Sequence, residues 1–196
     1  MATNNEAKGI VVDSQGTKRC WWCGSDPMYV DYHDREWGKP VTDDQLLFEK
    51  ICLEGFQAGL SWITILRKRD AFRKAFKGFD PAKVAIITEN EINSLVCNAE
   101  IIRHRGKIES TVNNARRALE LLEERGSLSE YFWTFKPKKT IKVRAKSEVV
   151  STTDESTALA KDLKRRGWTF VGPTTCYAFM QAMGLVNDHL IQCDFH

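Results

Sequence analysis

The sequence has no run of about 18 apolar residues, so no segment reads as a membrane-spanning helix. Its first ten residues are polar and no apolar stretch follows them, so no secretory signal is expected. Net charge is small, because 29 Lys and Arg face 26 Asp and Glu and leave only +3. That balance names no partner by itself. No internal repeat and no low-complexity tract is present, which excludes solenoids, fibres and a chain disordered throughout. Strand-like alternation is almost absent. Six cysteines remain to be explained. In a chain read as intracellular and cytoplasmic, disulfides are unexpected and metal ligation is the better use of some of them.

Charge is scarce overall but not evenly spread. Residues 136–166 hold ten Lys and Arg against four acids, a local +6 that leaves −3 for the rest. One basic face on a near-neutral body suits a polyanion.

The periodicity is helical. Thr42 with Gln45 reads as a capping box before Leu46, Leu47, Phe48, Ile51 and Leu53. Gly55 and Gly59 are expected to break that helix just after Glu54. Ser61 is placed to cap the next helix, and Asp80-Pro81 and Thr88 with Glu91 to open two more. Ile108, Val112, Ala115, Leu119 and Leu122 step by four and three, the stripe of a long buried helix closed by Gly126. Ser127 opens a short aromatic helix. Leu159 and Leu163 mark another, and Pro173 begins a final one closed by Gly184. The fold class is therefore all-α. Residues 1–18 show no period and are expected to form a loose leader before a single helical domain, 19–196.

Two constellations carry chemistry. His189 and Cys193 are four apart and would share a helix face, supplying half of a tetrahedral metal site. The other half lies among Cys20, Cys23 and His33, and spacing alone leaves that choice open. Zn2+ suits mixed thiolate and imidazole ligands. The second constellation is aromatic. Trp21, Trp22, Tyr29, Tyr32 and Trp37 crowd into seventeen residues that are otherwise polar. With Trp62 and the carboxylate of Glu54, they suggest a ring-walled cavity rather than a plain core. Such walls and one anion favour a flat cation. Beside a basic face, the ligand would be a positively charged base of a nucleic acid.

Several strings then carry a resemblance. They are Asp26-Pro27 with Tyr29, Tyr32-His33-Asp34, Glu36-Trp37-Gly38, and Leu53-Glu54-Gly55 through Gln57-Ala58-Gly59-Leu60-Ser61-Trp62. Ile102 to Lys107, Phe170-Val171-Gly172 and Gly184 to His189 continue the set. In this order the sequence resembles the DNA-3-methyladenine glycosylase I family from Cys20 to Cys193. The resemblance implies a helix-hairpin-helix DNA glycosylase fold with a zinc-stabilised annex joining the two ends of the chain. It places structural Zn2+ on Cys20, His33, His189 and Cys193, leaving Cys23 aside. It implies a base pocket of Tyr29, Tyr32, Trp37, Trp62 and Trp22, with Glu54 as the catalytic carboxylate. Gly59 and Leu60 match the plug that fills the gap left by a flipped base. The hairpin falls at about 163–176, where Lys164, Arg165, Arg166, Gly167, Gly172 and Thr174 would meet DNA. Arg103, Arg105 and Lys107 form a weaker second set.

Many enzymes of the wider superfamily carry a catalytic Asp where this sequence has Asn187, and the hairpin offers no lysine nucleophile. The resemblance thus implies a monofunctional enzyme that hydrolyses the N-glycosidic bond of 3-methyladenine in double-stranded alkylated DNA. The free base would be its product, and it would act as a monomer. The rival readings are a glycosylase with a broader alkylpurine range and a non-catalytic zinc-stabilised DNA-binding adaptor.

Overall fold

The computed structural model describes residues 9–139 and 142–196. Residues 1–8 of the expected leader lie outside them. The rest of that segment is not loose. Strand β1 (Ile10–Val12) pairs antiparallel with β2 (Lys18–Cys20). Ile10 is buried with Cys20, Val143, Leu190 and Cys193 in a small apolar cluster that draws the two ends of the chain together. Three-residue strands are too short to show a period in sequence.

Ten α-helices follow among the described residues. They are α1 (Pro27–Arg35), α2 (Asp44–Gln57), α3 (Trp62–Leu66), α4 (Arg69–Ala75) and α5 (Pro81–Ala85). Then come α6 (Glu89–Cys97), α7 (Arg105–Arg125), α8 (Leu128–Trp133), α9 (Asp154–Arg165) and α10 (Pro173–Ala182).

Most caps fall where the sequence places them. The Asp80 carboxylate accepts from Ala82 and Lys83 amides, Thr88 and Glu91 form a full capping box, and Gly126 closes α7 in the left-handed conformation. Helix α2 departs from expectation at both ends. Asp43 caps it, not Thr42, while Gln45 donates its side-chain amide to the Gly78 carbonyl. Its C-terminus runs through Glu54 and Gly55 to Gln57. Glycine costs only about 1 kcal/mol in a helix, and here burial outweighs it, since every residue from Leu47 to Phe56 is buried. A helix buried on all sides is the axis of the molecule. Its own Phe48 and Phe56, with Phe72, Phe76, Phe79, Phe132 and Phe179 from other segments, fill the core.

The hairpin joins α9 to α10. Gly167 (φ +83°) turns the chain, and the Trp168 amide reaches back to the Leu163 carbonyl at 3.0 Å while both side chains are buried. Asp162 anchors this arm. Tyr131 and Arg166 donate to one of its oxygens at 2.8 and 2.7 Å, and Arg165 donates to the other. Burial pushes the carboxyl up, but these donors outweigh it and hold it at about 2 rather than 3.8. A depressed acid stabilises the fold above its unfolded value and loses that contribution as pH falls towards 2. Asp162→Asn is therefore expected to cost about 2 kcal/mol at pH 7. The gap to wild type should narrow between pH 4 and 2 in denaturant titrations.

Candidate base pocket and metal cluster

Helix α1, the preceding turn and α2 converge on one cavity of about 210 Å³. Its walls include Trp22, Tyr29, Tyr32, Trp37, Trp62 and Glu54. All six residues expected in the pocket are thus brought together. Trp22 is the hub, with ring centroids 5.1 Å from Tyr29, 4.8 Å from Trp37 and 6.4 Å from Tyr32. Tyr32 lies 5.4 Å from Trp62. Trp21 also lines the cavity, yet its ring is covered by Lys146 at 5.3 Å. Glu54 is buried, and the Trp62 Nε1–H is a buried donor with no acceptor among the described residues.

Sequence reasoning missed part of this wall. Gln57, Gln181 and Asp188 line it too. Asp188 accepts from the Tyr177 hydroxyl at 2.6 Å and the Gln181 amide at 2.8 Å. These residues sit at unrelated positions along the chain, and no local pattern announces them. Lys50 carries no local signal in the sequence that would mark it as part of a site. It is buried, 2.8 Å from Glu54.

Behind the aromatic wall lie Cys20, His33, His189 and Cys193, all buried, with one ligand atom of each within 4.8 Å of the others. Cys20 Sγ is 3.7 Å from His189 Nδ1, and Cys193 Sγ is 3.6 Å from both His189 Nδ1 and His33 Nε2. The outer nitrogens are engaged elsewhere. His33 Nδ1 meets Asp34 at 2.7 Å and His189 Nε2 meets the Trp37 carbonyl at 3.1 Å. Those bonds leave the inner nitrogens as lone pairs aimed at the thiols, the tautomer that metal ligation requires. The donor set fits a metal ion. The expected helix beneath His189 and Cys193 is not there. Turns hold them instead, with the Cys193 amide donating to the Leu190 carbonyl at 2.8 Å. Cys23 is outside the cluster, its thiol donating to the Cys20 carbonyl. Cluster and cavity share a wall, for Trp22 stands 5.0 Å from His33 and Trp37 4.7 Å from His189. Gly38 permits this contact, since its φ is +78° and a Cβ there would lie 3.1 Å from the His189 ring.

At the cavity's edge, α2 ends in a tight turn with the Leu60 amide 2.6 Å from the Gln57 carbonyl. Gly59 takes φ +81°, and Leu60 is left 41% exposed. Lys107 supports this turn. Its ammonium donates to the Phe56 and Ala58 carbonyls at 2.9 and 2.6 Å, capping α2 rather than facing solvent. Lys164, Arg165, Gly167 and Thr174 are exposed, and Gly172 is half-buried at the start of α10. Arg166 is less free, bound to Asp162 and to Glu124. Arg105 is likewise paired with Glu89 and Glu109, whereas Arg103 is exposed.

A helical hairpin beside a buried carboxylate in a ring-walled cavity is the arrangement of a base-excising glycosylase. The chain belongs to the methyladenine glycosylase family, whose model matches residues 22–196. It is 51% identical to the DNA-3-methyladenine glycosylase of Haemophilus influenzae over 179 residues, 90% of this chain and 97% of that protein. Among solved structures it is similar to a 3-methyladenine DNA glycosylase I, with TM-score 0.88 and 48% identity, covering 91% of this chain and 99% of that one. It is also similar to the Staphylococcus aureus 3-methyladenine DNA glycosylase I used to study 3-methyladenine recognition. There the TM-score is 0.84 and the identity 40%, over 87% and 92% of the two chains. Among the described residues, no helix is long and apolar enough to cross a membrane.

Proposed function

We propose that this chain hydrolyses the N-glycosidic bond of 3-methyladenine in double-stranded alkylated DNA, without cutting the strand, and releases the free base. The observation that carries the reading is the buried Glu54 carboxylate lining a cavity walled by the rings of Trp22, Tyr29, Tyr32, Trp37 and Trp62. Methylation at N3 makes the adenine cationic, and rings plus an anion select that charge over neutral adenine. Glu54 accepts a hydrogen bond from the base edge, and the unpartnered Trp62 N–H donates to it. Water attacks C1′ and the C1′–N9 bond breaks. Its electron pair enters the ring and cancels the charge, and the water proton passes to solvent. The leaving base is already activated, so little acid catalysis is needed.

The base must leave the stack to reach Glu54. Exposed Leu60 on the Gly59 turn fills the gap and offsets an unstacking cost of a few kcal/mol. Leu60→Ala is expected to lower excision from duplex DNA by about 5- to 30-fold, matching ~1–2 kcal/mol of lost help. Affinity for free 3-methyladenine should stay unchanged. Equal losses in both would remove Leu60 from this role. DNA is gripped through the α10 N-terminus after Gly172, where Thr174 and Thr175 amides have no helical acceptor. Lys164 and Arg165 add long-range attraction that weakens with salt.

Zn2+ is the ion the four ligands suit best. For Zn–S near 2.3 Å and Zn–N near 2.0–2.1 Å, a tetrahedral S–N edge is about 3.6 Å, matching the 3.6–3.7 Å sulfur–nitrogen separations here. Four protein ligands leave no open position, so the ion would supply only cross-linking of the chain ends. The enzyme acts as a single copy. The test is base release from methylated duplex DNA by the purified protein. Release of 3-methyladenine is expected, and its absence from metal-loaded protein overturns the reading.

A further inference from the structure

Lys50 stands one turn before Glu54 on α2, and the catalytic reading above makes no use of it. Its ammonium is buried among residues of the pocket. It lies 2.8 Å from Glu54 Oε1, donates to the Tyr32 hydroxyl at 2.9 Å, and stands 3.1 Å from the Trp62 ring centroid. Every partner is a wall of the cavity. Burying such a pair is no bargain for stability, since apolar side chains of the same volume usually do as well. Its arrangement is informative instead. The ammonium takes Oε1 of the carboxylate. The Tyr32 oxygen accepts from Lys50, so its own proton must be donated elsewhere. One face of Trp62 is occupied by this fixed cation, which leaves an incoming base the other surfaces.

We propose that Lys50 is a positioning residue for the base: acting through Glu54 and Tyr32, it turns the carboxylate and one hydroxyl proton towards the cavity and keeps Glu54 paired with a cation whether the base is charged or neutral. The inference rests on the proposed glycosylase activity. Its logic is charge balance along the reaction. The bound base begins with one positive charge and ends with none. Without Lys50, bond cleavage would strand a buried carboxylate with no counter-ion. With Lys50, Glu54 is paired at both stages.

The other charged groups facing Lys50 are Glu36 at the end of α1 and Arg69 on α4, and Glu54 shares the cavity wall with the Tyr29 hydroxyl and with Asp188, which is already bonded to Tyr177 and Gln181. Glu36 and Arg69 are bonded to each other at 2.5 and 2.9 Å, so they largely cancel. Tyr32 is held neutral, because burial pushes its hydroxyl well up. Burial also lowers the ammonium, against the pull of Glu54, to about 8, so it remains mostly charged at neutral pH.

The experiment compares wild type, Lys50→Met, Glu54→Gln and the double variant, reading kcat/KM for 3-methyladenine release from pH 5.5 to 8. Met keeps the volume and removes the charge. A buried carboxylate without a counter-ion takes up a proton readily. Lys50→Met should therefore lose activity more steeply than wild type towards acid pH, by up to about tenfold per unit where the unpaired carboxylate protonates. In the Glu54→Gln background the same change should add less than about threefold and no steeper acid loss. Lys50→Arg, which keeps the charge, should restore the wild-type profile shape. If Lys50→Met does not fold, Lys50→Gln against Lys50→Arg gives the same contrast. Parallel profiles for the charge-removing variant and an active wild type overturn the inference and leave the activity standing. A wild type that releases no base at any pH overturns both.

Discussion

Glu54→Gln is expected to lower kcat/KM for 3-methyladenine release by about 10- to 100-fold. Non-specific affinity for undamaged duplex should change less than about twofold. The first figure follows from what is removed. A hydrogen bond to a charged partner contributes about 1.5–3 kcal/mol, and Gln keeps the shape while losing the charge to which the proposed selection of a methylated purine is assigned. The second follows from location. Glu54 is buried inside the cavity, whereas Lys164, Arg165 and Thr174 are exposed. Phosphates therefore meet the same surface in both proteins. Discrimination should move too, with preference for 3-methyladenine over neutral purines shrinking alongside the rate. Ala is the poorer test, because it removes the side-chain volume and every acceptor along with the charge, whereas the Gln amide oxygen can still accept from the Lys50 ammonium. Base-release assays with DNA-binding titrations on the same samples separate the two effects. Equal losses in release and binding would place Glu54 in DNA binding rather than base recognition.

The sequence displayed the aromatic half of this site because its members are close neighbours. Five aromatics from 21 to 37 stand out against the charged residues around them, and the structure folds that stretch into one wall. It displayed the caps for the same reason, as an Asp-Pro or a Thr with Glu three residues on is a local signal. What it concealed depends on burial. Nothing local distinguishes Lys50 from Lys68, yet one is buried against Trp62 and the other is not. Lys107 read as a DNA contact because a basic residue at a helix start is usually solvated; only the tertiary fold shows it capping α2. Arg166 sits in a basic run, and its pairing with Glu124, 42 residues away, is invisible to any window. The hairpin of 10–12 and 18–20 went unread because three residues carry no periodicity. His189 and Cys193 were joined by the right spacing for the wrong reason. Turns, not a helix, bring them to 3.6 Å.

Loss of a thiol from the proposed zinc cluster should damage the proposed base pocket as well as the fold. Cys193→Ala is expected to abolish stoichiometric zinc and to lower unfolding free energy by ~3–5 kcal/mol, a range that among single substitutions marks a lost metal or a comparable defect. For a chain this long, that is a fall in Tm of roughly 10 °C. The larger consequence is functional. His189 and His33 do not only face the thiols; they also back the Trp37 and Trp22 rings at 4.7 and 5.0 Å. Trp37 is tied further, its carbonyl accepting from His189 Nε2. Without the ion, two thiols and two imidazoles buried together must share protons. Their packing against Ile10, Val143 and Leu190 then loses the link that closes it. The indoles lose their backing, and affinity for free 3-methyladenine should fall by at least about tenfold, the equivalent of 1.4 kcal/mol. Cys23→Ala is the control, since that thiol bonds a backbone carbonyl outside the cluster. It should keep one zinc per chain, with base affinity near that of wild type. Metal analysis, thermal melts and base titration of both variants check this. Zinc retained by Cys193→Ala, or zinc lost by Cys23→Ala, would show that a different set of ligands holds the ion.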